Sequence, residues 1–265
     1  MKKLIVLVGL LSLAGSAVGM EDGNIALIRA INRKEDLVHV RELIEKGANL
    51  NAKTVAGTTV LQHAIENERF DIVGALINAG VSVKEELYKR ASVGDADVVS
   101  ELIRADYTGK INDSELEKVL IEAVKKGHLN VVEALTSKPN IPLGEALMFA
   151  AAGGYLDIVK ALIKARARLD EKADIGITAL GLAAYNNHLG IVIALVEAGA
   201  DANITDNSGN KALDHGWNYE KIRNVLYPRT TGAWRRRYSQ KRYTVPAAIA
   251  AAAYLGYKKP WKPGK

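Results

Sequence analysis

The 265-residue chain contains no cysteine. That excludes thiol nucleophiles, disulfides, iron–sulfur clusters and thiolate zinc sites. It fits a compartment where stray thiols would be oxidised, without identifying one. Phenylalanine is scarce, with two residues, while Ala, Leu, Ile and Val are plentiful. A core of such small aliphatic groups suits closely stacked helices. Motifs of catalysis are missing as well. There is no H-E-x-x-H, no G-x-S-x-G, no P-loop and no dinucleotide fingerprint. The five histidines, His39, His63, His128, His188 and His215, include no pair four residues apart. His128 and His188 are expected as turn residues. The acidic residues show no paired arrangement for acid–base work. These absences point away from an enzyme, and no cofactor or metal is expected.

Acidic residues are also lacking at the C-terminus. Residues 229–265 hold ten positive charges and no Asp or Glu. Lys2 and Lys3 add two more near the start. With a total of +6, the stretch 20–228 therefore carries −6. The overall basicity belongs to the tail and says nothing about the partner of the main body. The opening "MKKLIVLVGLLSLAGSAVGM" reads as a secretory signal: a positive start, an apolar run from Leu4 to Leu13, then the small residues Ala17-Val18-Gly19. That run is short of the roughly 20 residues a membrane span needs. The expected organisation is a signal over residues 1–19, a repeat array over 20–228, and a basic aromatic tail over 229–265. Export to the periplasm or beyond the cell follows from the signal as an expectation.

What the chain does have is a repeat. Apolar cores recur at Ile72-Val73-Leu76-Ile77, Val98-Val99-Leu102-Ile103, Val131-Val132-Leu135, Ile158-Val159-Leu162-Ile163 and Ile191-Val192-Leu195-Val196. Spacings of one, three and four place these side chains on one helical face. Leu43 and Leu226 sit in weaker copies at the two ends. Successive leucine markers are separated by 33, 26, 33, 27, 33 and 31 residues. Before each marker helix comes another with small residues: Ala64, Ala91, Ala123, Ala150-Ala151 and Ala183-Ala184. Alanine strips let paired helices approach closely. Gly94, Gly127 and Gly154 then break the chain between partners.

The unit resembles the ankyrin repeat, with its T-P-L-H-x-A helix start, G-H bend and I-V-x-L-L second helix. Gly57-Thr58-Thr59-Val60-Leu61-Gln62-His63-Ala64 matches the start, with Val for Pro and Gln for His. Gly176-Ile177-Thr178-Ala179-Leu180-Gly181-Leu182-Ala183 matches it again. Gly127-His128 keeps the bend. Gly199-Ala200-Asp201-Ala202-Asn203 and Gly47-Ala48-Asn49-Leu50-Asn51 resemble the family's G-A-D-V-N. The resemblance covers about residues 22–228 and implies an all-α repeat solenoid of six to seven helix pairs, with short β-hairpin fingers. Val81–Lys84 and Pro139–Leu143 lack the length for a finger, so tight loops are expected there. Arg90 stands where the first helix usually has a small alanine.

The resemblance also implies function: a non-catalytic scaffold that binds an unidentified protein partner on the face made by fingers and first helices. Mapped onto this chain, the fingertips are Lys53, Thr54, Val55, Lys172, Asp174, Ile175, Asp206 and Asn207. Exposed first-helix positions just before each bend are Glu66, Asn67, Lys125, Lys126, Tyr185 and Asn186. Tyr185 is the expected anchor, because aromatics dominate interface hot spots. The tail mixes cations with aromatics, including Trp234, Arg235, Arg236, Arg237, Lys241 and Arg242. It is read as a solvated tail or cap helix, with contact to an anionic membrane surface as the alternative function. Nucleic acid is the least expected partner.

Overall fold

The computed structural model describes residues 23–106, 109 and 111–229. The candidate membrane contacts Trp234, Arg235, Arg236, Arg237, Lys241 and Arg242, and the signal-like segment, lie outside the described residues. The chain divides into two compact units between Val81 and Ser82. The division falls at one of the two junctions that are too short for a finger.

The first unit holds α1 (Gly23–Asn32), α2 (Leu37–Glu45), α3 (Val60–Glu66) and α4 (Phe70–Asn78). Helix α1 pairs with α2 and α3 with α4, and the pairs stack α1 on α3 and α2 on α4. Leu27, Ile31, Ile72, Leu76 and Ile77 fill the interior. The Asp36 carboxylate opens α2 by accepting the His39 amide at 2.8 Å. Thr59 opens α3 with a reciprocal box: its hydroxyl accepts the Gln62 amide at 3.1 Å, and its own amide donates to Gln62 Oε1 at 3.0 Å. With glutamine in place of the usual histidine, the two side chains together thus satisfy two backbone donors of the helix start.

The second unit contains α5 (Lys84–Val93), α6 (Ala96–Ala105), α7 (Asp113–Lys126), α8 (Leu129–Thr136), α9 (Gly144–Gly153), α10 (Leu156–Lys164), α11 (Ala179–Tyr185), α12 (Leu189–Glu197), α13 (Ala212–His215) and α14 (Glu220–Leu226). Odd-numbered helices stack on one another, from α5 through α7, α9 and α11 to α13. Even-numbered helices form a second row, and each packs on its odd partner. One pair cannot bury its apolar face alone, so stacking supplies the core. The markers Leu102, Leu135, Leu162, Leu195 and Leu226 are fully buried, as is Leu76 in the first unit. Leu43 is only half-buried. It sits on α2, which packs along its row against α4 among the described residues.

In six of the seven described helix pairs the chain turns between partners through a left-handed residue. Gly94, Gly127 and Gly154 hold φ of 82°, 77° and 80°. A Cβ at Gly94 would stand 2.8 Å from the His128 ring, and one at Gly154 2.7 Å from the His188 ring. Both the backbone and the neighbouring ring therefore require glycine. The expected turn role of His128 and His188 holds, with an addition. Each ring reaches back one pair: His128 Nε2 lies 3.0 Å from the Ser92 carbonyl oxygen, and His188 Nε2 lies 3.2 Å from that of Ala152. The Tyr155 hydroxyl donates to the Lys125 carbonyl at 3.3 Å in the same way. In the first unit Arg69 reaches back to the bend itself, donating from Nη1 to the Glu35 carbonyl between α1 and α2 at 3.0 Å. The staples from His128, Tyr155 and His188 thus satisfy carbonyls left over at the end of the preceding first helix.

The short junctions are loops, as their length implies. Among the described residues β-bridges occur at Lys53–Thr59 and Thr205–Lys211. Arg90 does not crowd the helix pair, because Ala91 supplies the buried small residue. Arg90 instead donates from Nε to the buried Glu86 carboxylate at 2.6 Å and from Nη1 to Asp95 at 3.0 Å. Burial opposes its charge, but the two carboxylates outweigh that effect and hold the guanidinium above its ordinary range.

Candidate protein-binding face

The first unit carries one finger. Its bridge pairs Lys53 with Thr59. Inside it the Thr54 amide donates to the Thr58 carbonyl at 2.9 Å, and the Gly57 amide donates to the Thr54 carbonyl at 2.8 Å. That tight closure projects the tip: Lys53 is exposed, Thr54 half-buried and Val55 wholly in solvent. Ala52, at the root, is buried. Glu66 is exposed. Asn67 is half-buried and its amide group donates to the His63 carbonyl at 2.8 Å, closing α3.

The second unit carries two adjacent fingers. The Ala173 amide donates to the Ile177 carbonyl at 3.0 Å, and Thr205 bridges Lys211. Asn207 ties the tips together: its backbone amide donates to the Ile175 carbonyl at 3.0 Å and its side chain donates to the Asp174 carbonyl at 2.9 Å. At the roots, the Asp201 amide donates to the Asp170 carboxylate at 2.9 Å. Lys172, Asp174 and Asn207 remain exposed at the surface, and Ile175 is half-buried.

Two expectations are corrected here. Asp206 does not point outward: it is 7% exposed. Its carboxylate accepts the amides of Ser208 at 2.9 Å and Asn210 at 2.8 Å, and the Asn210 side chain at 3.2 Å. It organises the turn from within, which an aspartate at a turn start does readily. Tyr185 is not a free anchor either. It is half-buried, edge-on to the His215 ring at 6.5 Å with an interplanar angle of 86°. Burial first, and Tyr219 second, push its hydroxyl pKa up. Asn186, beside it, is half-buried and closes α11 through a 3.0 Å bond to the Leu182 carbonyl, the counterpart of Asn67.

Lys125 and Lys126 are exposed at the end of α7, as expected. The Lys125 ammonium lies 4.3 Å from the centre of the Phe149 ring on α9, a cation–π contact that fixes its direction. Lys126 sits 3.8 Å from Glu122. The sequence reading missed Tyr88 on α5. It is exposed, and its hydroxyl donates to Glu122 Oε2 on α7 at 2.8 Å. An aromatic outside the alanine strip of a first helix was the available signal. Further along, Glu117 is held above the usual carboxylate range by burial first, then by the charges of Glu145 and Glu171. The row of first helices thus offers cations at one point and crowded carboxylates at another.

Among the described residues no helix is long and apolar enough to cross a membrane. A family model described as ankyrin repeats, in three copies, matches residues 3–86 and 147–232. No curated protein matches the chain. Among solved structures, the ankyrin repeat domain of Bcl-3, described as a unique member of the IkappaB protein family, is similar with a TM-score of 0.61 and 20% identity. The likeness covers 78% of this chain and 100% of that one. At this identity it speaks for the fold alone. Residues 87–146 fall outside the family match, yet most of α5 and all of α6, α7 and α8 lie there and repeat the same paired stacking. Helix pairs, left-handed bends, carbonyl staples and the family match agree: the chain belongs to the ankyrin repeat family.

Proposed function

We propose that the protein is a non-catalytic scaffold that binds a partner protein on the faces built by its fingers and first helices. Repeats of this family serve mostly as interaction modules. One observation carries the reading to particular residues. The adjacent fingers of the second unit are locked tip to tip by Asn207, while Lys172, Asp174 and Asn207 stay open to solvent. A surface ordered before binding loses less entropy when a partner arrives. The mixed charge of these tips, with Lys125 and Lys126 on α7, suits a partner surface bearing both signs.

The test is site-specific crosslinking in a native extract. Photo-reactive groups placed at Lys172 and Asp174 should capture one common protein. The same group at Lys160, exposed on α10 in the other row, should not. Equal capture from all three positions, or none from any, would refute the assignment. Charge reversal of Lys125 and Lys126 should weaken capture at Lys172.

Export is part of the proposal and rests on the signal-like residues 1–19. The family match begins at residue 3, inside that segment. N-terminal sequencing of the protein from its native source decides it: a mature start near residue 20 supports export, and an intact start removes it. The membrane-surface alternative rests on the ten cations of 229–265. Co-sedimentation of the full chain with anionic vesicles, compared with a chain ending at Tyr227, tests that reading.

A further inference from the structure

Leu43 departs from the burial of its repeat position. The marker leucine is fully buried at Leu76, Leu102, Leu135, Leu162, Leu195 and Leu226, but only half-buried at Leu43. The residue four places before the marker behaves alike. Ile72, Val131, Ile158, Ile191 and Ile222 are buried and Val98 is half-buried, whereas the counterpart on α2 is His39, with its side chain 48% exposed. In the last pair, where α14 packs against α12, Ile222 and Leu226 stay fully buried. This face of a second-row helix therefore looks back toward the preceding pair. Among the described residues α2 is the first helix of its row.

The sequence just upstream has the pattern of a helix for that face. Val8-Gly9, Leu11 and Ala14-Gly15 repeat Val73-Gly74, Leu76 and Ala79-Gly80 at the same spacing. In this register Leu11 takes the marker place, 32 residues before Leu43, within the range of 26 to 33 that separates the other markers. Gly15 stands where Gly80, with φ of 105°, follows the end of α4. The family match also begins at residue 3, ahead of this segment. We propose that in the uncleaved chain residues 6–15 stack on the Leu43 side of α2, as the second helix of a partial repeat that covers the end of the first unit. The terminal pair of a repeat array gains by such a cover, because half of its stacking surface has no neighbour otherwise. Nothing in this conflicts with the signal-like pattern. A signal's apolar run and a core-facing helix both ask for aliphatic side chains. A chain that loses residues 1–19 loses the cover with them and bares Leu43, so processing and the state of the first unit are coupled. The contact needs no partner and stands independently of the binding and export readings.

Crosslinking of the full, unprocessed chain tests it, and the absence of native cysteine makes introduced thiols unique. Leu13→Cys with Glu45→Cys should be joined by a bismaleimide spanning about 10 Å, the separation of packed helices. Glu45→Cys with Asn78→Cys, the same step between α2 and α4, sets the reference rate. Leu11→Asp should slow the first link by about tenfold, a loss on the order of 1.4 kcal/mol of docking, and leave the reference pair unchanged. Leu11→Val should keep both. Hydrogen exchange supplies a second readout. In the full chain Leu11→Asp should lower protection of the α2 amides from Val40 to Leu43, while those of α9 hold steady. No link from residue 13 while the reference pair reacts, a link indifferent to Leu11→Asp, or unchanged α2 protection in that variant would overturn the cover.

Discussion

His128 Nε2 lies 3.0 Å from the carbonyl oxygen of Ser92, a residue 36 positions earlier in the chain. The same ring covers Gly94, two residues beyond that carbonyl. One imidazole therefore closes the end of α5 and excludes a side chain from the bend that follows. Gly94→Ala should destabilise the second unit by about 1–3 kcal/mol, combining left-handed strain with a displaced ring. His128→Ala should cost about 0.5–1.5 kcal/mol, the net worth of one hydrogen bond. Urea unfolding monitored by circular dichroism checks both. A Gly94→Ala midpoint equal to wild type would disprove the ring contact.

Three bends lack glycine. Lys34, Glu68 and Asn187 sit at φ of 55°, 56° and 61°. Glu68 is exposed, so backbone strain is the main cost of keeping glutamate there. Glu68→Gly should stabilise the first unit by about 0.5–1 kcal/mol, since relief of strain exceeds the added freedom of the unfolded chain. Asn187→Gly should gain less, because asparagine tolerates this conformation better than glutamate. Melting temperatures of the two variants check the order.

Leu135 is fully buried on α8, between α6 and α10 in the second row. Leu135→Asp should cost more than about 4 kcal/mol, by adding a buried charge to a lost apolar contact. Loss of cooperative unfolding in the second unit is the expected result. Leu43→Asp, at a half-buried site in the first unit, should be much milder. A single melt at the wild-type temperature for Leu135→Asp would contradict the stacked core.

Glu117 shows the pH behaviour of a crowded carboxylate. Its folded pKa lies above the ordinary 4.5, through burial and then Glu145 and Glu171. The sign follows from that direction. Stability associated with this group is fully present below the unfolded pKa and is lost as pH rises through the folded pKa. Glu117→Gln should therefore raise stability at pH 7 and leave it nearly unchanged at pH 4. Denaturant midpoints at both pH values measure this, and a greater gain at pH 4 would reverse the assignment.

The correct parts of the sequence reading share one cause. The marker leucines, the alanines and the bend glycines act within a helix pair, at spacings of one to a few residues, so their periodicity is visible in one dimension. Gly94, Gly127 and Gly154 were legible as bends because glycine at a helix end has a local meaning. The errors share a cause as well. Asp206 and Tyr185 were placed outward by position within a repeat, yet both lie against His215. Composition also concealed the charges of Glu86, Arg90 and Asp95, which meet around one turn of helix and the following bend.

By itself, the sequence determined where helices begin, pair and turn, because capping, helical periodicity and left-handed bends depend on residues close together in the chain. Only the tertiary structure decided which finger residues face solvent, which rings staple one pair to the last, and that His215 is buried against Asp206. The first two outcomes depend on side chains some 30 residues apart, such as Asn207 and Asp174 or His128 and Ser92. Stacking brings them within hydrogen-bond distance, and no local pattern announces the meeting.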